Sequence, residues 1–495
     1  MFCGIDVGTQ GVKCIIADSH SGKIVAQSHA NYDMISGPNG KREQDPKIWV
    51  SAVGECLDIV FGDSCVDRKN ILGIGVSGQQ HGFVALDNNF DVIRPAKLWC
   101  DTESIKEAEY IINEIGGEKK LVEITGNTLP VGFTASKVLW MKIHEPDNYK
   151  KLKKILLPHD YISYWLTGNF CTDMGDASGT GYFSIKSRSW ANEILRIIDP
   201  HQDLSEFLPK ILRFDEVFGH LRSDLVSRFG LESVPIVSSG GGDNMMAAIG
   251  TGNIVPGIVT MSLGTSGTIF TYSNEPIFDQ NGDFAAFCSS NGGWLPLICT
   301  MNVTVTTEKI RNILGISLDE LNNEAEKATI GSEGIRIIPY FNGERTPNRP
   351  DATCTMYGIT SANFSKTNLC RAAIEGASLS LKYGLSSLLK KNIEYKSIIL
   401  VGGGSKSKVW RQIIADMFGC KVYSLLCHEA ACLGCIIQAN YCYCQMIHLN
   451  ESMEHICDKY ICIDIDSICE PVSEHNEQYS KISAEYIDFE KKVYG

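Results

Sequence analysis

The chain has 495 residues, 44% of them hydrophobic and 21% charged, with a formal net charge of −13. That length exceeds what one compact core holds and points to two large domains or three, and the composition is that of a globular protein rather than a disordered or fibrous one. The acidic balance argues against a broad nucleic-acid or anionic-membrane surface, but not against a small anionic ligand, because backbone amides bind phosphate without net positive charge.

The chain opens on Met1-Phe2-Cys3-Gly4-Ile5-Asp6, an apparent strand with no basic segment followed by an apolar one, so no secretory signal is read there. No apolar run approaches the roughly 20 residues of a membrane helix. The 19 cysteines are odd in number and scattered through apolar runs, as expected of reduced, buried small hydrophobes in a cytoplasmic protein.

The predicted elements form an α/β pattern of short β-branched runs, glycine turns and longer amphipathic stretches. A strand at 14–18 follows the turn Gly8-Thr9-Gln10-Gly11, and Asp45-Pro46 is a sound start for a helix at 47–60. A strand at 72–77 leads into Ser77-Gly78-Gln79-Gln80-His81-Gly82, and a helix follows at 104–115. The strand at 234–238 runs into Gly240-Gly241-Gly242-Asp243 and a helical stretch from Asn244 to Ile249. Strands at 258–262 and 269–272 flank Gly264-Thr265-Ser266-Gly267. A last strand at 397–401 gives way to Gly402-Gly403-Gly404 and a helix at 409–418. Cys432, Cys435, Cys442 and Cys444 are dense enough to raise a metal site, but they lie in an apolar helical run with only partly zinc-like spacing, so buried small residues are the better reading.

Two of these segments repeat. Ile5-Asp6-Val7-Gly8-Thr9 and Met261-Ser262-Leu263-Gly264-Thr265 are each flanked by strands, which suggests two related domains facing one cleft, divided as 1–245 and 246–495. Each turn can offer backbone N–H groups and a hydroxyl to phosphate oxygens; each is also compatible with a plain hairpin. Neither is a P-loop or a Rossmann fingerprint, because a strand rather than a helix follows. Asp6 suits a hydrated Mg²⁺ or a hydrogen bond to the turn, and Lys13 a phosphate or bulk water. Asp243 stands where a helix begins, suited to catalysis or to simple N-capping. The 402–404 turn fits a nucleotide or a tight βα connection, and Gln80 and His81 present polar groups suited to sugar hydroxyls at a strand end.

In this order these pieces resemble the FGGY carbohydrate kinase family. The resemblance covers the chain from Gly4 to about Gln438 and includes Leu98-Trp99-Cys100-Asp101-Thr102, Gly132-Phe133-Thr134-Ala135-Ser136-Lys137, Leu157-Pro158-His159-Asp160-Tyr161, Asp173-Met174-Gly175-Asp176-Ala177-Ser178-Gly179-Thr180, Pro339-Tyr340-Phe341-Asn342-Gly343-Glu344-Arg345-Thr346-Pro347, and 401–407 with Trp410-Arg411-Gln412. It implies two ribonuclease-H-like domains of the actin and Hsp70 type closing over sugar and ATP. Asp243 is then the base that takes the proton of the sugar hydroxyl, Asp6 organises Mg²⁺, and Gly8, Thr9, Lys13, Gly264 and Thr265 meet phosphates. Gly402, Gly403 and Gly404 line the adenosine site, and Gln80 and His81 touch the sugar.

The implied acceptor is a ketopentose, D-xylulose. Ribulose, gluconate, glycerol or a catalytically silent sugar-binding relative are the alternatives, because a few pocket side chains decide the substrate. The expected partners are sugar and ATP alone, without nucleic acid or membrane, in a monomer or homodimer. Gln10, Gln80, Met245 and Met246 depart from the family's usual residues, and sugar identity is the expectation they weaken most.

Overall fold

In the computed structural model, which describes residues 1–495, the N-terminal run forms strand β1 (Phe2–Val7), followed by β2 (Gly11–Ala17) and β3 (Ile24–Asn31) in an antiparallel meander. Every residue of β1 except Asp6 is buried, as in a central strand covered on both faces. Helix α1 (Pro46–Gly62) starts at the predicted Asp45-Pro46 pair, with Asp45 Oδ1 accepting from Lys47 N at 3.0 Å. Strand β4 (Gly73–Gly78) then runs parallel to β1.

Helices α2 (Pro158–Thr167) and α3 (Met174–Ala177) precede β5 (Val217–His220), β6 (Ile236–Ser238) and the short β7 (Gly241–Gly242). The sheet order is β5-β6-β4-β1-β2-β3, with β7 pairing beside the end of β4. The predicted strand at 234–238 loses its first two residues: Val234 is 58% exposed, and Pro235 has no N–H for the ladder.

After α4 (Asp243–Gly250), the pattern is rebuilt. Strands β8 (Gly257–Leu263), β9 (Gly267–Thr271) and β10 (Leu297–Thr300) form a second antiparallel meander, and β11 (Tyr395–Val401) runs parallel to β8. Helix α5 (Lys408–Phe418) connects to β12 (Lys421–Tyr423), giving the order β10-β9-β8-β11-β12. The two Gly-Thr segments are thus the same hairpin turn in two sheets that share a five-strand topology, the first adding β5 and β7, and the short internal repeat reflects a repeat of the fold.

Each sheet has its own apolar core, and a further core packs the first sheet against helices from later in the chain. Phe2 and Ile15 of the first sheet pack there with Met246 and Ile249 of α4 and with Leu433 and Ile436 of α6 (Ala430–Met446). Helix α6 comes from the far end of the chain yet lies against β1 and β4. It crosses α4 so closely that a Cβ on Gly434 would sit 1.8 Å from Met246 O. The cysteines of α6 are buried in these contacts. Cys432 and Cys435 donate to Lys13 O and Ile5 O at 3.4 Å, Cys442 to Phe214 O at 3.4 Å, and Cys444 to Asn440 Oδ1 at 3.4 Å, four separate acceptors. No helix is long and apolar enough to cross a membrane.

Candidate active site

Parallel pairing brings three chain-distant segments to one sheet edge. Val7 ends β1 opposite Gly78 of β4, and Gly242 of β7 lies opposite the same Gly78. Asp6, the Gln79-Gln80-His81 segment and Asp243 therefore meet where these strands stop, the usual ligand position in an open α/β sheet.

Asp243 does not cap its helix. Gly242 is the N-cap residue and Asp243 the first helical one, half-buried, with its carboxylate accepting from Asn244 N at 2.8 Å and Asn244 Nδ2 at 2.9 Å. Asn244 also donates to Gln80 Oε1 at 2.8 Å and accepts from Thr268 Oγ1, on β9, at 3.1 Å. Burial, reinforced by the charges of Asp6 and Asp176 and only partly offset by Asn244, pushes the Asp243 carboxyl up to about 7. Asp6 accepts from Ser77 Oγ at 2.8 Å, and burial raises it above the ordinary carboxylate range despite that bond.

The glycine run before Asp243 is fixed from the other end of the chain. Gln438, fully buried on α6, accepts from Ser238 Oγ at 2.8 Å and Gly240 N at 2.9 Å, and donates to Gly240 O at 3.1 Å and Ser290 O at 3.2 Å. Gln80 is buried too, and its Nε2 donates to Met245 Sδ at 3.1 Å. Two of the departures from the family pattern are therefore partners of one another.

His81 lies at φ 61° with its ring stacked on Phe287, at 5.6 Å between centroids and 5° between planes, and 4.9 Å from the Phe133 ring. Trp99 Nε1 donates to Thr9 Oγ1 at 3.0 Å, and the Arg345 guanidinium sits 5.7 Å from the Trp99 ring centre. Phe287 and Arg345 belong to the second half of the chain, so side chains from both halves meet at this corner.

The amides of Thr9 and Gln10 in the first turn, and of Gly264, Thr265 and Ser266 in the second, meet no protein acceptor. The second turn is braced by Val303 N on Thr265 O at 3.0 Å and Thr304 N on Gly264 O at 2.9 Å. Thr9 Oγ1 is occupied, donating to Gln79 Oε1 at 3.1 Å, so its side chain is not a free phosphate donor. Gln10 is exposed at the turn tip, and Gly8 O accepts from Tyr32 Oη at 2.6 Å. Because Ser262 of β8 pairs with Val401 of β11, the Gly402-Gly403-Gly404 turn opens beside Gly264, and a Cβ on Gly403 would meet nothing within 4 Å. Lys13 faces Asp6 across the β1–β2 ladder but is held by Glu429 Oε2 at 2.6 Å.

Of the residues marked by spacing, Asp6, Gln80, His81 and Asp243 meet where the strands of the first sheet stop, Asn244 ties them to Thr268 of the second hairpin, and the 402–404 turn lies beside that hairpin's turn. Spacing gives no role to Trp99, Asp176, Asn244, Phe287, Arg345 or Gln438. Trp99, Asp176 and Arg345 stand inside motifs whose spacing says nothing of what they face; Phe287 lies in a segment with no turn or charge signal at all.

Residues 1–250 match the N-terminal domain of the FGGY family of carbohydrate kinases, and residues 259–443 its C-terminal domain. The chain belongs to this family, whose members are ATP-dependent sugar kinases with the actin- and Hsp70-like ATPase fold. Among its relatives, the xylulose kinase of Haemophilus influenzae is 42% identical over the full length of both chains. Among solved structures, a xyloylose kinase from Brucella ovis superposes with a TM-score of 0.92 at 28% identity, covering 99% of each chain. A gluconate kinase from Lactobacillus acidophilus superposes with a TM-score of 0.90 at 25% identity, over 100% of this chain and 98% of that one.

Proposed function

We propose that this protein transfers the γ-phosphoryl group of ATP to a hydroxyl of D-xylulose, giving D-xylulose 5-phosphate and ADP. The observation that carries the reading is the position of Asp243, a half-buried carboxylate raised to about 7, between two turns of free amides and the Gln80–His81 corner. A base of that strength is matched to neutral pH. The naming of the H. influenzae relative favours xylulose over the other sugars.

In this reading the sugar hydroxyl donates to the Asp243 carboxylate. As its oxygen bonds to the γ-phosphorus, its proton passes to Asp243 and the bond to the β-phosphate oxygen breaks, releasing ADP. Phosphoryl transfer asks mainly for positioning and charge neutralisation. Asn244 holds Asp243 and Gln80 together, and the amides of residues 9–10 and 264–266 face the phosphates. Gly402, Gly403 and Gly404 take the adenosine, with Gly403 open to it. Lys13 reaches a phosphate only by leaving Glu429.

Mg²⁺ fits this donor set. Asp6 is a hard oxygen ligand whose charge adds to the raising of Asp243, and the cation opposite it, Lys13, is already paired. Asp6 would hold the ion, which supplies neutralisation of phosphate charge. The division at 245/246 puts the sugar corner and first turn in one domain and the second turn and adenosine site in the other, so that closure excludes water. The enzyme would work in the cytoplasm, where its 19 free cysteines stay reduced.

The test is ADP release with MgATP over a panel of D-xylulose, D-ribulose, gluconate and glycerol. D-Xylulose should give the highest kcat/KM; a higher value for another sugar would reassign the substrate, and no sugar-dependent release would sink the kinase reading.

A further inference from the structure

Beneath the sugar corner lies a buried group of ionisable side chains that the transfer reaction does not use. Asp176, on α3, is completely buried. One carboxylate oxygen, Oδ1, accepts from the backbone N–H of His81 at 3.2 Å and faces the ring Nδ1 of the same residue at 3.4 Å. The other, Oδ2, is 3.0 Å from Nδ1 of His159, at the start of α2. On its far side His159 Nε2 lies 3.1 Å from Asp160 Oδ1 and 3.5 Å from Asp173 Oδ1. Asp173 is itself held, accepting from Gly175 N at 2.7 Å, Asp176 N at 3.0 Å and Ser290 Oγ at 2.7 Å.

A carboxylate beside an imidazole selects the tautomer with hydrogen on the facing nitrogen, because a lone pair directed at the carboxylate would be repelled. The His81 ring has little freedom to evade that choice. It is stacked on Phe287. Gly179 lies against its other edge, where a Cβ would come within 1.9 Å of Cε1 and Nδ1. Nδ1 is sealed from solvent and makes no hydrogen bond, its only polar neighbour being Asp176 Oδ1 at 3.4 Å, while the side chain keeps 12% exposure, so the Nε2 edge is the one that reaches the site. Burial, against the pull of Asp176, also lowers His81 from the usual histidine range and keeps the ring neutral. His159 behaves oppositely: burial alone would neutralise it, but Asp160, Asp176 and Asp173 together lift it to about 9. A cation there keeps Asp176 ionised, and Asp176 lies below the ordinary carboxylate range even though burial opposes this.

We propose that Asp176 is a positioning residue that holds His81 with its hydrogen on Nδ1, leaving Nε2 as a hydrogen-bond acceptor for a sugar hydroxyl, and that His159 anchors Asp176 for that task. This rests on the reading of His81 as a sugar contact, but the tautomer is a property of the free protein. A sugar presenting a hydroxyl to Nε2 donates to it; one presenting only a carbonyl or a deoxy carbon cannot. His81 is therefore a filter for hydroxyl donors, set from behind by Asp176.

The test is ¹⁵N NMR of the imidazoles in the ligand-free full-length protein, with the His81 signals assigned by their loss in His81→Gln. In the wild type, Nδ1 should be protonated and Nε2 unprotonated. In Asp176→Leu the hydrogen should move to Nε2, while KM for D-xylulose rises about tenfold and KM for ATP is unchanged. His159→Gln keeps a donor toward Asp176 and should retain the wild-type tautomer. A wild-type ring protonated on Nε2 or on both nitrogens would overturn the proposal, and so would a His81 tautomer that Asp176→Leu leaves in place. Should that variant not fold, the wild-type spectrum still decides: hydrogen on Nδ1 with Nε2 free supports the role of Asp176, and hydrogen on Nε2 removes it. Correct tautomers without turnover of D-xylulose would count against the substrate and leave the role of Asp176 standing.

Discussion

Replacing Asp243 with Asn should move activity and stability in opposite directions. The carboxyl titrates near 3.8 in an unfolded chain and about 7 in the fold. Its protonated form is therefore the one the fold prefers, so the stability this site contributes is complete below the unfolded value and is lost as pH rises toward the folded value. A separation of about 3 pH units corresponds to ~4 kcal/mol if fully expressed, at ~1.36 kcal/mol per unit. Asp243 is only half-buried and water reaches it through the cleft, so about half of this, ~2 kcal/mol, is the expected penalty above pH 7. Asn keeps the shape and cannot ionise. Asp243→Asn should thus approach the wild type only toward pH 4 and melt a few degrees higher at pH 8, measured by thermal denaturation without nucleotide and with a chelator present. Its kcat should fall by roughly 10²–10⁴, the range for losing a general base, and wild-type kcat/KM should fall as pH drops below 7. A variant that is less stable at pH 8, or a stability gap that does not widen between pH 4 and 8, would refute the raised carboxyl of Asp243.

Gln438→Leu leaves Ser238 Oγ, both polar groups of the Gly240 peptide and Ser290 O without their buried partner; it should cost roughly 2–4 kcal/mol in urea unfolding and lower kcat more than it raises either KM. Gly434→Ala gains ~1 kcal/mol of helix propensity but puts a Cβ 1.8 Å from Met246 O, so a net loss of about 2 kcal/mol is expected, read as a lower urea midpoint with an unchanged slope.

The fold was legible because its signals are local and doubled. Strand–Gly-Thr–strand occurs twice, and the two occurrences proved to be equivalent hairpins in sheets that share a five-strand topology. The edges of elements were less clear where polar residues interrupt the apolar pattern. The predicted strand at 14–18 begins earlier, at Gly11, because Lys13 is exposed on an otherwise covered strand and hides the period.

The site divides along the same line. Asp6, Gln80, His81 and Asp243 sit at strand ends or helix starts, positions that spacing can find. Gln438 and Phe287 reach the site through packing between parts of the chain some 150 to 200 residues apart or more, as with His81 and Phe287, and nothing in their own neighbourhood marks them. The departures at Gln80 and Met245, which weakened the sugar assignment when read singly, are joined by the hydrogen bond from Gln80 Nε2 to Met245 Sδ. That bond turns the Gln80 amide so that its oxygen accepts from Asn244, the residue that also holds Asp243. The two departures therefore act together, orienting the amide that steadies the residue holding the base. Specificity is set by such pairs, and a pair is visible only once the chain has brought its two members together.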